Sequence, residues 1–368
     1  MGARAAPHEE PVSLMVAATD GGSAHATRVA AMVRSDDWWD YKLLTIVQLF
    51  AATAVMLRLP VWPMIPAAAL VLAALVPGAV FASVINDLTD IEDDRRAGKR
   101  NMFADRPRWQ ALALHAGTAS IGAAIIWAWR DAPMLCGVYL AAWLMFVAYS
   151  VPPVRIKSRG GWGVLAMGFG EAALPSLTVV LACFRAAVWP VDSLWIAAVG
   201  IWSLCHGVRA ILWHQLGDAL ADERSAVPTF VQKRGKAAAV EITRRLVFPC
   251  ELVALGVILL RLGSVLPCAA LAGYLLCVWL RCRFWRNVLV VVAPVARHLY
   301  AMQDYYIAWL PAAIFLMAVL RHPVDGWIAL LFLAIFPRAQ CRIWSETFVL
   351  IRQAVGDVRH RLGRRLRS

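Results

Sequence analysis

The sequence predicts an all-α, polytopic transmembrane helical bundle of nine or ten spans. Three observations lead there. Of 368 residues, 61% are hydrophobic and only 17% charged, too little polar surface for a water-soluble globule of this length and far too apolar for an unfolded chain. Apolar runs of about spanning length recur along the chain. Those runs are solidly apolar and do not alternate, which excludes a membrane β-barrel.

Residues 1–40 carry Gly, Ser, Ala, Asp and Glu without an apolar core of signal-peptide type, and are expected to be a disordered cytoplasmic tail. The spans are predicted near 43–60, 64–85, 110–129, 133–150, 162–184, 194–215, 244–262, 264–280, 306–320 and 324–337, so that residues 41–337 make one transmembrane domain. Residues 338–368 read as a basic cytoplasmic tail whose Arg359, Arg361, Arg364, Arg365 and Arg367 would lie against anionic headgroups.

Orientation follows from charge. The chain holds 37 Lys and Arg against 24 Asp and Glu. With both termini on one side, 31 of the 37 fall on that side and 5 (Arg58, Arg130, Arg185, Arg261 and Arg321) on the other. That asymmetry makes the first side cytoplasmic, in a membrane expected to be the bacterial plasma membrane, and accounts for the net charge of +13 without a nucleic-acid partner. The eight cysteines form no CxxC pair and read as small buried hydrophobes.

Two acidic sets interrupt the apolar pattern. The second span runs into Asn86-Asp87-Leu88-Thr89-Asp90-Ile91-Glu92-Asp93-Asp94. On a helix Asn86, Asp90, Asp94 and Asp87 fall at about 0°, 40°, 80° and 100°, on one face. Carboxylates crowded this way repel one another unless cations are present, and hard divalent cations take oxygen ligands. The sixth span ends in His214-Gln215-Leu216-Gly217-Asp218-Ala219-Leu220-Ala221-Asp222. Asp90 to Asp218 and Asp94 to Asp222 are both 128 residues apart, and both sets follow an even-numbered span. Two such faces meeting across one cavity would hold two metal ions bridged by a diphosphate.

Cations supply the other half. Arg95, Arg96, Lys99 and Arg100 follow the first set; Arg224, Lys233, Arg234 and Lys236 follow the second. Between them lies Tyr149-Ser150-Val151-Pro152-Pro153-Val154-Arg155-Ile156-Lys157-Ser158-Arg159-Gly160, where an extended segment would point Arg155, Lys157 and Arg159 to one side. Inside the spans, Glu171, His206, Arg209 and Glu251 are functional candidates by default. Glu171 is a candidate base, and a buried pair of Arg209 with Glu171 or Glu251 is the structural alternative.

Together these segments resemble the UbiA superfamily of intramembrane prenyltransferases, in its chlorophyll-synthase-like and quinone-pathway-like branches. Asn86-Asp87-x-x-Asp90-x-x-x-Asp94 matches the family's first motif, Asp218-x-x-x-Asp222 its second, and Tyr149 to Gly160 its loop between the fourth and fifth helices. The likeness covers roughly residues 40–280. It departs at Asp222-Glu223-Arg224-Ser225-Ala226, which lacks a Gly often found there, and residues 281–368 match nothing in it.

The resemblance implies a UbiA-like bundle around a central cavity open to the cytoplasmic side, with a lateral opening to lipid. It implies a Mg²⁺-dependent transferase that moves a prenyl group from a prenyl diphosphate to a hydrophobic or aromatic acceptor, with membrane lipid as a further partner. Asp87, Asp90, Asp94, Asp218 and Asp222 would be the catalytic metal ligands, holding two Mg²⁺ ions. Asn86, Arg95, Lys99, Tyr149, Arg155 and Lys157 would bind the diphosphate. Phosphoribosyl transfer or terpene cyclisation on the same scaffold are the alternatives, with an ion-coupled transporter behind them.

Overall fold

The computed structural model describes residues 35–225, 228–293, 295 and 297–365. The expected N-terminal tail up to residue 34 lies outside the described residues. All ten apolar stretches are helical: α1 (Leu44–Met56), α2 (Ile65–Ala97), α3 (Arg108–Ala128), α4 (Pro133–Ser150), α5 (Gly161–Ala186), α6 (Ser193–Gly217), α10 (Phe248–Leu262), α11 (Val265–Phe284), α12 (Tyr305–Arg321) and α13 (Gly326–Ile335). Between α6 and α10 lie the short α7 (Ala219–Ser225), α8 (Phe230–Arg234) and α9 (Lys236–Ile242), the last running into α10 through a π turn. A final α14 (Pro337–Arg365) occupies the stretch read as a basic tail. The protein is an all-α integral membrane protein.

The span count differs from the nine or ten expected. Among the described residues six helices are long and apolar enough to cross a membrane, or seven if the bent pair at 323–357 is one span. The difference is one of length. Helix α1 has 13 residues, α10 has 15 and α13 has 10, whereas a perpendicular span needs about 20. Turns of π geometry at Trp39–Leu43, Thr243–Val247 and Tyr305–Trp309 interrupt what hydropathy reads as continuous.

Local chemistry sets the helix ends that matter for the site. Helix α2 carries its acidic set on its last turns and stops at Gly98, which takes φ +69°, a left-handed conformation cheap only for glycine. Lys99 N then donates to Asp94 O at 2.8 Å, turning the chain back. At the far end of α2, the buried Asp325 carboxylate accepts from Val61 N at 3.0 Å and Trp62 N at 2.8 Å, satisfying amides that open the helical run. Asp192 caps α6 by accepting from Trp195 N.

The core joins α1, α5, α6, α10 and α12 through Leu44, Ala54, Val179, Trp195, Val199, Leu255, Tyr305 and Tyr306, all fully or nearly fully buried. Helices α5 and α6 approach closely at Gly168 and Gly207: a Cβ on Gly207 would lie 2.8 Å from Ala172 Cβ and 3.1 Å from Gly168 Cα, the small-residue contact by which membrane helices pack. The eight cysteines are unpaired, but only Cys183 and Cys277 are buried as the sequence reading expects; Cys268 and Cys341 are exposed. An exception to the helical rule is the parallel pair Val288–Val290 and His298–Tyr300, short strands that follow α11.

Buried in that packing, Arg209 holds Glu251 in a fork, Nε to Oε2 and Nη2 to Oε1 both at 2.8 Å. Tyr306 OH donates to Glu251 Oε1 at 2.8 Å, and Arg209 Nη1 donates to the carbonyls of Ala301 (2.9 Å) and Val291 (3.1 Å). His206 stacks on Trp202 and sits edge-on to Tyr306. Of the two pairings open to Arg209 in the sequence, the structure has Glu251. Every lone pair so satisfied offsets desolvation, and the group knits α6, α10, the strand pair and α12 together.

Candidate active site

A cavity of about 760 Å³ opens between the ends of α2, α4, α6 and α7. Asn86, Asp87, Asp90 and Asp94 line it from α2, as the helical spacing predicts, and Asp93 joins them. Asp218 and Asp222 line it from the break between α6 and α7, where Asp222 N donates to Asp218 O at 2.9 Å. Two acidic sets 128 residues apart thus face one space. Tyr149, Ser150, Lys99 and Lys157 complete the polar end. Ala74, Leu75, Gly78, Trp143, Phe146 and Met167 line the rest. The chamber is polar at the helix ends and apolar in its depth.

The carboxylates are engaged. Lys99 Nζ meets Asp218 Oδ2 at 2.8 Å. Arg155 Nη2 donates to Asp93 Oδ2 at 2.6 Å and Asp90 Oδ1 at 3.1 Å, and the buried Lys157 ammonium contacts Asp90 Oδ1. Burial pulls the Lys157 pKa down to about 8, while the Asp90 carboxylate against it favours the charged form. Burial raises the Asp222 pKa; neighbouring Asp218 adds to this, and Lys99 and Thr229 oppose it. Asp87 is 4% exposed. Asn86 Oδ1 accepts weakly from Ser150 Oγ at 3.4 Å.

Two expectations need correction. The segment 155–159 is not extended. Arg155 takes φ +34° and Ile156–Ser158 form a 3₁₀ turn, so at about three residues per turn the side chains fan out rather than align. Arg155 and Lys157 reach Asp90, but Arg159 turns away and its Nη2 donates to Pro153 O. Arg95 does not enter the cavity either. It pairs with Glu92 at 3.0 Å, three residues back on the exposed side of α2, and Arg96 does the same at 3.2 Å, a local contact that wins wherever no ligand competes.

Other residues of the site were not singled out from sequence. Asn101 Nδ2 donates to Asp94 Oδ2 at 2.8 Å and to Asp87 O at 2.7 Å. Its signal was available: Gly98 ends the helix, and the next polar residues must fold back over the last turn. Lys42 enters the cavity from before α1 and its Nζ lies 2.5 Å from Glu171 Oε2. Glu171 therefore lines the cavity, paired with Lys42 and not with Arg209.

A family model, the UbiA prenyltransferase family, matches residues 47–290. The chain belongs to the UbiA prenyltransferase family. Both acidic sets, the 149–160 segment and Glu171 lie inside the matched region, while α12, α13 and α14 lie beyond it. The structure of a UbiA homolog from Archaeoglobus fulgidus aligns with 84% of this chain and 99% of that chain, with a TM-score of 0.53 and 12% identity, a likeness of fold. Structures of a UbiA homolog from that organism bound to GPP and Mg²⁺ and to DMAPP and Mg²⁺ align with 88% of this chain and 99% of theirs, with TM-scores of 0.49 and 0.47 at 12% identity. No curated protein matches the chain.

For a UbiA chain the test of a metal is whether this donor set suits one. Among the described residues no three His, Cys, Asp or Glu converge tightly enough to enclose an ion alone. Mg²⁺ does not require that, because it is usually held by one or two carboxylates with substrate phosphates and water. Seven carboxylates line the cavity against four Lys or Arg side chains, and adding Arg155 still leaves negative charge in excess. Hard oxygen donors in excess, on two facing walls, fit magnesium bound together with a phosphate group.

Proposed function

We propose that this protein transfers a prenyl group from a prenyl diphosphate to a lipophilic or aromatic acceptor at the cytoplasmic face of a bacterial plasma membrane. One observation carries the reading: both acidic sets and Lys157 face the same cavity, whose depth is apolar. That shape suits an amphiphile with a charged head at the helix ends and an isoprenoid tail among Leu75, Trp143 and Phe146.

Asp87, Asp90, Asp94, Asp218 and Asp222 would hold two Mg²⁺ ions, with Asn86 as a neutral oxygen donor. Bound there, the metal neutralises diphosphate oxygens and makes pyrophosphate a better leaving group. The chain's own cations act beside it. Lys157 and Arg155, now on Asp90 and Asp93, and Lys99, now on Asp218, exchange a carboxylate for phosphate oxygens when donor and metal arrive. Arg155 can fork two oxygens, whereas Lys157 and Lys99 act as point charges. Tyr149 and Ser150 sit at the boundary between head and tail. Charge stabilisation is thereby placed where the leaving group develops it. The apolar walls exclude water from the allylic carbon, and the faces of Trp143 and Phe146 suit a developing cation. Glu171, held by Lys42 on the same cavity, is the base for an acceptor hydroxyl or enol proton. The bias of 31 Lys and Arg to 5 supports a cytoplasmic mouth.

The test is the full chain in lipid nanodiscs with Mg²⁺, prenyl diphosphates of several lengths and an aromatic acceptor. Pyrophosphate release matched by a prenylated acceptor is expected. Pyrophosphate with a cyclised hydrocarbon and untouched acceptor would identify a cyclase, and solute flux without product a transporter.

A further inference from the structure

A second cavity of about 620 Å³ lies between α5, α6 and the α8–α10 segment and shares no lining residue with the first. Its wall is apolar, with Leu165, Leu204, Val208, Leu246 and Cys250 along it. Leu246 is 57% exposed and Leu165 40%, so the groove faces outward from the bundle toward lipid. Its rim is cationic: Arg159, Lys233 and Arg234, all exposed.

Several cations at the same end of the bundle are paired with carboxylates. Arg95 and Arg96 sit on Glu92, Lys99 on Asp218, Arg155 on Asp93 and Arg245 on Glu241. Arg159, Lys233 and Arg234 make no ion pair among the described residues. Arg159 and Lys233 instead donate to main-chain carbonyls, of Pro153 and of Ser158 at 3.2 Å. Trp162, 71% exposed on the same rim, is the amphipathic ring that membrane proteins place at headgroup level. An apolar outward trough below three uncompensated cations at that level is complementary to a single anionic amphiphile. Basic pockets between membrane helices take phosphate headgroups for this reason.

We infer that the groove binds one anionic glycerophospholipid, its phosphodiester against Arg159, Lys233 and Arg234 and an acyl chain along Leu165, Val208 and Leu246. No carboxylate lines this groove, so it lacks the metal-binding donors that a diphosphate substrate would call for, and a single phosphodiester suits the cations alone. The position has a consequence. Gly160 lines the groove and pairs with Thr229, which lines the first cavity. Lys233 Cδ would lie 3.1 Å from a Cβ on Gly160. A headgroup seated on Lys233 and Arg159 therefore braces the segment that carries Arg155 and Lys157. The lipid site does not depend on the prenyl-transfer reading, and its test reads binding.

The detergent-solubilised full chain, stripped of lipid, is titrated with fluorescent phosphatidylglycerol. Saturable binding is expected, tighter than for phosphatidylcholine with the same chains. Lys233→Gln/Arg234→Gln is expected to weaken it about 25-fold, from roughly a fivefold loss per cation removed. Leu246→Trp, which fills the trough without changing charge, is expected to weaken both lipids, and Lys233→Arg/Arg234→Lys to restore the preference, which separates charge from misfolding. Equal binding of the two lipids by the unaltered protein, or unchanged binding by the Gln double variant, would overturn the inference. So would displacement by glycerol 3-phosphate or by geranyl diphosphate at matched concentration, the first revealing a free-phosphate site and the second a donor site.

Discussion

Lys99 Nζ lies 2.8 Å from Asp218 Oδ2, so a residue just past the end of α2 closes an ion pair with the start of α7 across the mouth of the cavity. Lys99 thereby links the end of α2 to the second acidic set, while Arg155 and Lys157 pair within the first. The pair is more than a third exposed on both sides, so its contribution to stability is small.

Asp90→Ala and Asp218→Ala are each expected to lower pyrophosphate release about a hundredfold or more, the order of losing one charge-stabilising contact at a reacting centre. Both variants are expected to insert and fold. Turnover at the unaltered rate in both would remove the paired-carboxylate model.

Lys157 carries charge in a nearly closed place, and its substitution separates charge from shape. Lys157→Met is expected to cut kcat by about tenfold to a hundredfold, with Lys157→Arg recovering part of it. Arg95→Gln, which only releases Glu92, is expected to leave steady-state kinetics unchanged, and equal losses in Lys157→Met and Arg95→Gln would contradict the placement seen here.

Arg209→Met leaves the Glu251 carboxylate buried without its fork. Thermal unfolding in detergent is expected to show a loss of about 3–5 kcal/mol. The double variant Arg209→Met/Glu251→Leu should regain most of that, because no buried charge is then stranded. Tyr306→Phe should cost about 1 kcal/mol.

Gly207 sits where α6 crosses α5 at backbone distance. Gly207→Leu is expected to wedge the helices apart, lowering the midpoint of unfolding and, because α6 delivers Asp218, turnover as well. Gly117→Ala, with nothing within 4 Å of the added carbon, should change neither.

Asp325 acts at the other end of α2, about 50 Å of helix away from Gly98 by the rise per residue. Asp325→Ala strands two amides and should cost about 1–3 kcal/mol while the folded fraction keeps its kcat, measured at a temperature where the variant is intact.

Much of the site was legible because it is built from local spacing. Asn86, Asp87, Asp90 and Asp94 share a face by helical periodicity alone, and the equal offsets to Asp218 and Asp222 suggested a second wall. Lys42 was not legible, since it reaches the cavity through a chain reversal that leaves no periodic mark, whereas the stop at Gly98 marks the turn that brings Asn101 back to Asp94. Arg155 and Lys157 were found but their backbone was misread: a left-handed residue and a 3₁₀ turn replaced the extended run, and Arg159 went to the outer groove.

Sequence alone was sufficient for the membrane environment, the helical class, every apolar helix and the family motifs, because these depend on composition and on periods of a few residues. Only the tertiary structure decided which helices are long enough to cross, that Arg209 pairs with Glu251 while Glu171 pairs with Lys42, and that three cations remain uncompensated beside an apolar groove. Pairing of charges across helices depends on where rigid rods cross, and those crossings are set by side-chain packing between segments far apart in the chain.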